Sequence, residues 1–221
     1  MGDLYAIGDI HGRLDLLEAA LAEIELRSQS ATVVFLGDYV DRGPESRGVV
    51  ELLMGGPRRP GDTFVCLKGN HEAMMVHCLA EEAMLGWWIG NGGGATLASY
   101  GGEVPPDHLA WIDGLPLMHR EADRVFVHAG LMPGYGLDEQ DEEAVLWIRD
   151  RFLRCTPKDH DFGVHVVHGH TPAWDGKPDP AKPELLPHRT NLDTAAFHTG
   201  VLTVAVFGES GPPTSAFAVM R

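Results

Sequence analysis

The chain has 221 residues, with 17 Lys and Arg against 32 Asp and Glu, a formal charge of −15. That length can bury a sizeable core without disulfides, and 44% apolar with 22% charged residues excludes a disordered chain. So acidic a sequence has no basic face to spare for a phosphate backbone, which argues against bulk nucleic-acid binding.

In chain order, residues 4–7 predict a strand, 15–26 an Ala/Leu/Glu helix, 32–36 (TVVFL) a second strand and 45–54 a second helix. Residues 63–67 (TFVCL) predict a third strand, followed by a Met-rich helix from about 72 to 82. Strands alternating with helices imply βαβ units and parallel pairing. Beyond residue 115 the pattern changes to strands at 124–127, 164–167, 201–207 and 215–220, with one helix near 142–153. Residues 171–190 hold five prolines and predict a long surface loop. No repeat and no linker between separate cores interrupts this pattern, so the expectation is one mixed α/β domain spanning 1–221. Cys66, Cys78 and Cys155 form no CxxC pair, which indicates free thiols in a reducing compartment. The N-terminus carries no basic-then-apolar leader and no run reaches about 18 apolar residues, so the expectation is a cytoplasmic protein without a membrane anchor.

Twelve histidines are the compositional oddity. Several follow strands that end in similar punctuation: Gly8-Asp9-Ile10-His11-Gly12, Gly37-Asp38-Tyr39-Val40-Asp41-Arg42-Gly43 and Gly69-Asn70-His71-Glu72. Two later strands run into Val127-His128-Ala129-Gly130 and His168-Gly169-His170-Thr171-Pro172. The carboxyl ends of parallel strands share one edge, where ligands bind. These termini therefore bring Asp9, His11, Asp38, Asn70, His128 and His170 toward one place. Oxygen and imidazole donors without thiolate suit manganese, iron or zinc. Six protein ligands exceed what one open catalytic ion needs and suit two, with Asp38 on the middle strand as the bridging carboxylate. Such a pair clamps the oxygens of an in-line phosphoryl displacement.

In these motifs and their order the sequence resembles the phosphoprotein phosphatase family within the calcineurin-like metallophosphoesterases, and in particular its small bacterial and phage members. Those members also share Trp88-Ile89-Gly90-Asn91-Gly92-Gly93, Trp147-Ile148-Arg149 and Asn191-Leu192-Asp193-Thr194. The resemblance covers about residues 4–207. It implies two packed mixed β-sheets flanked by helices. Two divalent ions are implied, manganese first, with iron or zinc as alternatives. Asp9 and His11 would hold one ion, Asp38 would bridge, and Asn70, His128 and His170 would hold the other. His71 is then the general acid with Asp41 hydrogen-bonded to it. Arg42 and Arg149 grip the phosphoryl group, and Asn70 also donates its amide to it. Attack would come from hydroxide between the ions, without a phosphoenzyme. Where many relatives have Gly after Asp-Thr, this chain has Ala195.

The leading function is hydrolysis of phosphoserine or phosphothreonine in proteins or peptides, extending to phosphotyrosine and small aryl phosphates. The alternative within the superfamily is hydrolysis of dinucleoside tetraphosphates, whose enzymes typically lack an acid at the Asp41 position and carry Asp where this chain has Glu72. An inactive scaffold is the third reading, and it is disfavoured because no ligand or acid is missing. His168, two residues before His170, would point the same way on a strand and is read as a buried supporting histidine. His77, His108, His119, His160, His165, His188 and His198 are assigned to surface or core. Residues 90–95 satisfy GxGxxA without the surrounding βαβ unit, so they predict no dinucleotide site, though their glycines could shape a loop beside the substrate. Five acids within 138–143 predict a solvated helix start, and Met74 and Met75 predict core.

Overall fold

Alternate residues of the inner strands face different apolar layers, which explains why these strands are apolar throughout. A computed structural model describes residues 2–156, 158–159, 162–172 and 181–221 of the chain. The first half runs β1 (Asp3–Ile7), α1 (Leu14–Arg27), β2 (Ala31–Phe35), α2 (Ser46–Gly55), β3 (Thr63–Cys66) and α3 (Asn70–Ala80). Short helices follow: α4 (Leu85–Trp88), a π-helical turn (Ile89–Gly93), α5 (Gly94–Tyr100) and α6 (Pro106–Asp113). The second half holds β4 (Met118–Glu121), β5 (Arg124–Val127), α7 (Glu142–Trp147), α8 (Asp150–Leu153), β6 (His165–His168) and β7 (Glu184–Leu185). It closes with β8 (Arg189–Asn191), α9 (Ala196–Thr199), β9 (Val201–Phe207) and β10 (Ser215–Met220).

Two mixed sheets result, ordered β10-β9-β1-β2-β3 and β4-β5-β6-β8-β7. In the first, β1, β2 and β3 are parallel, and β9 returns antiparallel to β1. In the second, β5, β6 and β8 are parallel. Leu4, Ala6, Val34, Leu36, Phe126, Val167, Leu192 and Phe207 fill the layer between the sheets. Tyr5, Ile7, Val33 and Phe35 face the other way, onto Leu17, Ile24, Val49 and Met75 of α1 to α3. On the far side Val125, Val127 and Val166 pack on Leu146 and Phe152 of α7 and α8. No helix among the described residues is long and apolar enough to cross a membrane.

The expected strands are present, three of them with the expected ends and the others with ends shifted by one residue, and the expected helices differ at their ends. The third helix begins at Asn70, two residues early, because the Glu72 carboxylate accepts the Gly69 N–H at 2.9 Å and closes its first turn. The helix expected across 142–153 is broken: Ile148 is extended and buried, and exposed Trp147 and Arg149 flank it. Asp141 opens α7 by accepting the Ala144 N–H at 2.7 Å, which accounts for part of the acidic run. Met74 and Met75 are core. Helices α4 to α6 and α9, and strands β4, β7 and β8, were not expected. Of the proline-rich loop, residues 173–180 lie outside the described residues, as does His160; the rest includes β7 and part of β8.

Ala195 sits at φ +50°, the left-handed region, where glycine is at ease and alanine costs about 1–2 kcal/mol. Ala195→Gly is therefore expected to raise stability by about 0.5–1 kcal/mol after the larger unfolded-state entropy of glycine is deducted. Chemical denaturation would read this as a higher midpoint at unchanged slope; a lower midpoint would contradict the strain.

Candidate metal centre

The carboxyl ends of β1, β2, β3, β5 and β6 meet at one edge where the two sheets face each other. The loops there take conformations that ordinary side chains avoid: His11, Asp38, Asp41, Arg42 and His170 all have φ between +46° and +72°. Each such residue costs on the order of 1–2 kcal/mol, so the surroundings must hold it. Glu72 does much of that work. Its buried carboxylate accepts the backbone N–H groups of Asp38 (2.8 Å), Tyr39 (2.8 Å), Val40 (3.2 Å) and Gly69 (2.9 Å). Burial, with the Asp38 charge, pushes Glu72 up to about 7 against the pull of those donors.

Asp38 lies at the centre. His11 Nε2 is 3.4 Å and His71 Nε2 4.0 Å from its Oδ2, and His128 Nε2 is 3.4 Å from its Oδ1. Burial opposes its ionisation, and any proton carried by His128, His71, His11 or His170 around it favours that charge and draws Asp38 below the usual carboxylate range. Two groups of donor atoms, His11–Asp38–His71 and Asp38–His128–His170, each lie within 4.8 Å of one another and share Asp38. Asn70 Oδ1 joins the second group, 2.8 Å from His128 Nε2 and 2.9 Å from His170 Nδ1.

This donor set fits cations. His11 and His128 donate their Nδ1–H to the carbonyls of Val40 and Leu36, both at 2.8 Å, which leaves an acceptor lone pair on each Nε2. Burial lowers the pKa of His11, His128 and His170, which favours the neutral imidazole. Acceptors therefore face acceptors: the His128 Nε2 lone pair meets the Asn70 oxygen, and His170 Nε2 is buried with no hydrogen-bond partner. Three buried carboxylates, Asp9, Asp38 and Asp193, crowd the same spot. Burial, followed by the Asp193 and Asp38 charges, raises Asp9 well above its ordinary value, and burial pushes Asp193 up to about 7. The pocket is short of positive charge, and two divalent ions sharing Asp38 would supply it.

The expected ligands are thus together, with one difference in arrangement. The Asp9 carboxylate accepts the His170 backbone N–H at 3.1 and 3.2 Å and stands beside the two groups, while His71 falls within the first. His71 differs from the other imidazoles in its partner: its Nδ1 meets the Asp41 carboxylate at 2.7 Å instead of a carbonyl. Burial alone would lower its pKa, but the Asp38 charge and the Asp41 hydrogen bond prevail and raise it. Exposed Arg42 reaches in from the rim, its Nη1 2.6 Å from His11 Nε2 and its guanidinium 5.0 Å from the Phe197 ring. Exposed Arg149 donates to Thr171 Oγ1 at 3.2 Å, and its charge acts on His128, His170 and Asp193. Trp87 and Trp147, both exposed, stand with ring centroids 6.5 Å apart, and Trp147 is 6.3 Å from the His170 ring.

His168 is fully buried at the end of β6, beside Arg189 and edge-on to Phe152. The strand ends there and His170 turns left-handed, so strand alternation does not carry from one to the other. Among the described histidines outside the site, His77 and His198 are exposed, His108 and His165 buried, and His119 and His188 half-buried. Asp193, Trp88 and Thr96 are parts of the site that no expected role covers. All lie in or near the Trp88–Gly93 and Asn191–Thr194 stretches shared with the small bacterial and phage phosphatases.

The calcineurin-like phosphoesterase family matches residues 3–202, and the chain belongs to that family. The family works with a dinuclear metal centre, for which the two donor groups sharing Asp38 provide. A symmetrical bis(5'-nucleosyl)-tetraphosphatase from Neisseria meningitidis is 33% identical over 146 residues, 63% of this chain and 48% of its own. Serine/threonine-protein phosphatase 1 from Salmonella typhimurium is 28% identical over 179 residues, 76% of this chain and 78% of its own. A crystal structure carrying a provisional diadenosine tetraphosphatase name covers 99% of this chain and 93% of its own, with a TM-score of 0.72 and 25% identity. The chain spans about half the length of the tetraphosphatases it matches.

Proposed function

We propose that the chain is a metal-dependent phosphomonoesterase acting on phosphoserine and phosphothreonine in proteins or peptides, with phosphotyrosine and small aryl phosphates as further substrates. The observation that carries this reading is the buried Asp41–His71 pair, 2.7 Å apart at His71 Nδ1, with His71 Nε2 facing the donor groups. A serine or threonine alkoxide is a poor leaving group and needs a proton as the P–O bond breaks. A nucleoside polyphosphate leaves as a stable anion and needs none. A histidine whose Nδ1 is held by a buried carboxylate, with Nε2 turned toward the reacting oxygens, suits the first task.

When bound, two divalent ions, manganese by first expectation, would supply positive charge to the phosphoryl oxygens and an activated water for in-line attack. His11, Asp38, Asn70, His128 and His170 would hold them, with Asp9 alongside. Arg42 and Arg149 present guanidinium N–H groups at the rim, suited to gripping two phosphoryl oxygens and fixing the in-line direction. His71 Nε2 gives its proton to the ester oxygen, so the products are a free hydroxyl and inorganic phosphate. Asp41 holds the resulting imidazole in place for reprotonation.

The name of the Salmonella relative supports this reading. The Neisseria relative and the provisional name of the solved structure favour a second one, hydrolysis of dinucleoside tetraphosphates. The two separate in one experiment. Metal-stripped protein is given manganese, iron, zinc or magnesium in turn, and turnover is measured on a phosphoserine peptide and on diadenosine tetraphosphate. The expected result is peptide turnover restored best by manganese. Preference for the dinucleotide would overturn the first reading, and full activity without added metal would overturn both.

A further inference from the structure

The geometry points to the segment from Trp88 to Thr96 as a positioning device for the proton donor: Trp88 and Thr96 fix Asp41, and through it His71, in the orientation for protonating the leaving group. The inference rests on the proton-donor reading of His71 given above. Asp41 has no freedom in this site. Its Oδ2 is shared between His71 Nδ1 at 2.7 Å and the Trp88 indole Nε1–H, which donates at 2.9 Å. The Thr96 hydroxyl donates to Oδ1 at 2.7 Å and accepts the Asp41 backbone N–H at 2.8 Å, so one side chain pins both ends of the residue. Ser46 Oγ lies 3.0 Å from that hydroxyl and 3.1 Å from the same backbone nitrogen. Asp41, Trp88, Thr96 and Ser46 are all fully buried.

The glycines between the two anchors belong to the same device. Arg42, left-handed at φ +68° like Asp41 before it, donates its backbone N–H to the Gly92 carbonyl at 3.2 Å. Gly92 itself sits at φ +112°, and a Cβ there would come within 2.8 Å of Arg42 Cγ and 2.9 Å of its backbone nitrogen. A side chain at Gly93 would collide with the Trp88 indole. The run that formally satisfies GxGxxA is thus a bare backbone turn that lets two helices close over Asp41 and Arg42. Without such ties, two consecutive left-handed non-glycine residues would relax toward ordinary backbone. A carboxylate free to rotate would release the imidazole.

The test uses Thr96→Val, which keeps the shape and removes both hydrogen bonds, with Thr96→Ser as the conservative rescue. Each is assayed on a phosphoserine peptide and on p-nitrophenyl phosphate, whose leaving group departs without a proton. The expected result for Thr96→Val is a kcat about tenfold lower on the peptide, a fraction of the 10²–10⁴-fold a general acid supplies, with little change on the aryl ester and in KM. Thr96→Ser should restore the peptide rate. Thr96→Val should add nothing in a His71→Asn background, and the hydrogen-bonded His71 Nδ1–H proton signal should be lost in Thr96→Val and present in Thr96→Ser. Equal losses on both substrates, or a further loss in the His71→Asn background, would overturn the positioning role. If His71→Asn itself lacks the leaving-group dependence, the proton-donor reading fails instead.

Discussion

Replacing His71 by Asn is expected to lower kcat on a phosphoserine peptide by about 10²–10⁴-fold. On p-nitrophenyl phosphate the loss should be much smaller. The difference follows from the leaving groups: serine alkoxide must be protonated as it departs, whereas p-nitrophenolate is stable as an anion. The experiment also resolves a question posed by the site itself, because His71 Nε2 lies within the first group of possible metal donors. Were His71 needed to hold an ion, both substrates would fall together and the bound metal would drop. The acid reading rests on His71 Nδ1 being held by the Asp41 carboxylate, whereas His11 and His128 are held by backbone carbonyls. Analysis of metal content beside the two rates separates the cases.

The second large effect concerns Glu72. Glu72→Ala would leave the N–H groups of Asp38, Tyr39, Val40 and Gly69 in a buried loop without their acceptor. Each unsatisfied donor costs about 1–3 kcal/mol, and with water entering part of the space the sum is expected at about 3–5 kcal/mol. Domains are stable by only about 5–15 kcal/mol, so this is a large share. For a chain of this size the melting temperature should fall by about 6–20 °C. Activity should fall with it in protein that remains folded, since Asp38 would lose the tie that holds it left-handed. Glu72→Gln should lie between, because its amide keeps one acceptor oxygen and turns an NH₂ toward two other donors. A melting temperature unchanged in Glu72→Ala would refute this account.

The strands of the core were legible because their apolar runs are dictated by burial on both sides. Strands at 201–207 and 215–220 were legible to the residue. Site residues were legible for a different reason: glycine-flanked Asp, Asn and His after five strands follow from the need for sharp left-handed turns at one sheet edge. What escaped was built from residues without a periodic signature. Strand β8 is Arg189, Thr190 and Asn191, three polar residues fully buried between neighbours, and no apolar alternation betrays it. Helices α4 and α5 flank Gly90, Gly92 and Gly93, a composition that reads as loop until Trp88 and Thr96 are seen to grip Asp41. The position of Asp9 escaped for a third reason. Its place in the motif is fixed by sequence, but its direction is set by the His170 backbone, 161 residues away.

The Leu36 carbonyl and His128 imidazole join one sheet to the other directly above the apolar layer that separates them. Asp38 comes from the first sheet, His128 and His170 from the second, so any ion held among them also rivets the two halves of the sandwich together. Opening the sheets and releasing the ion are then the same event. With an ion bound there, the free concentration of metal would add to the stability of the closed sandwich through a term of RT ln(1 + [L]/Kd).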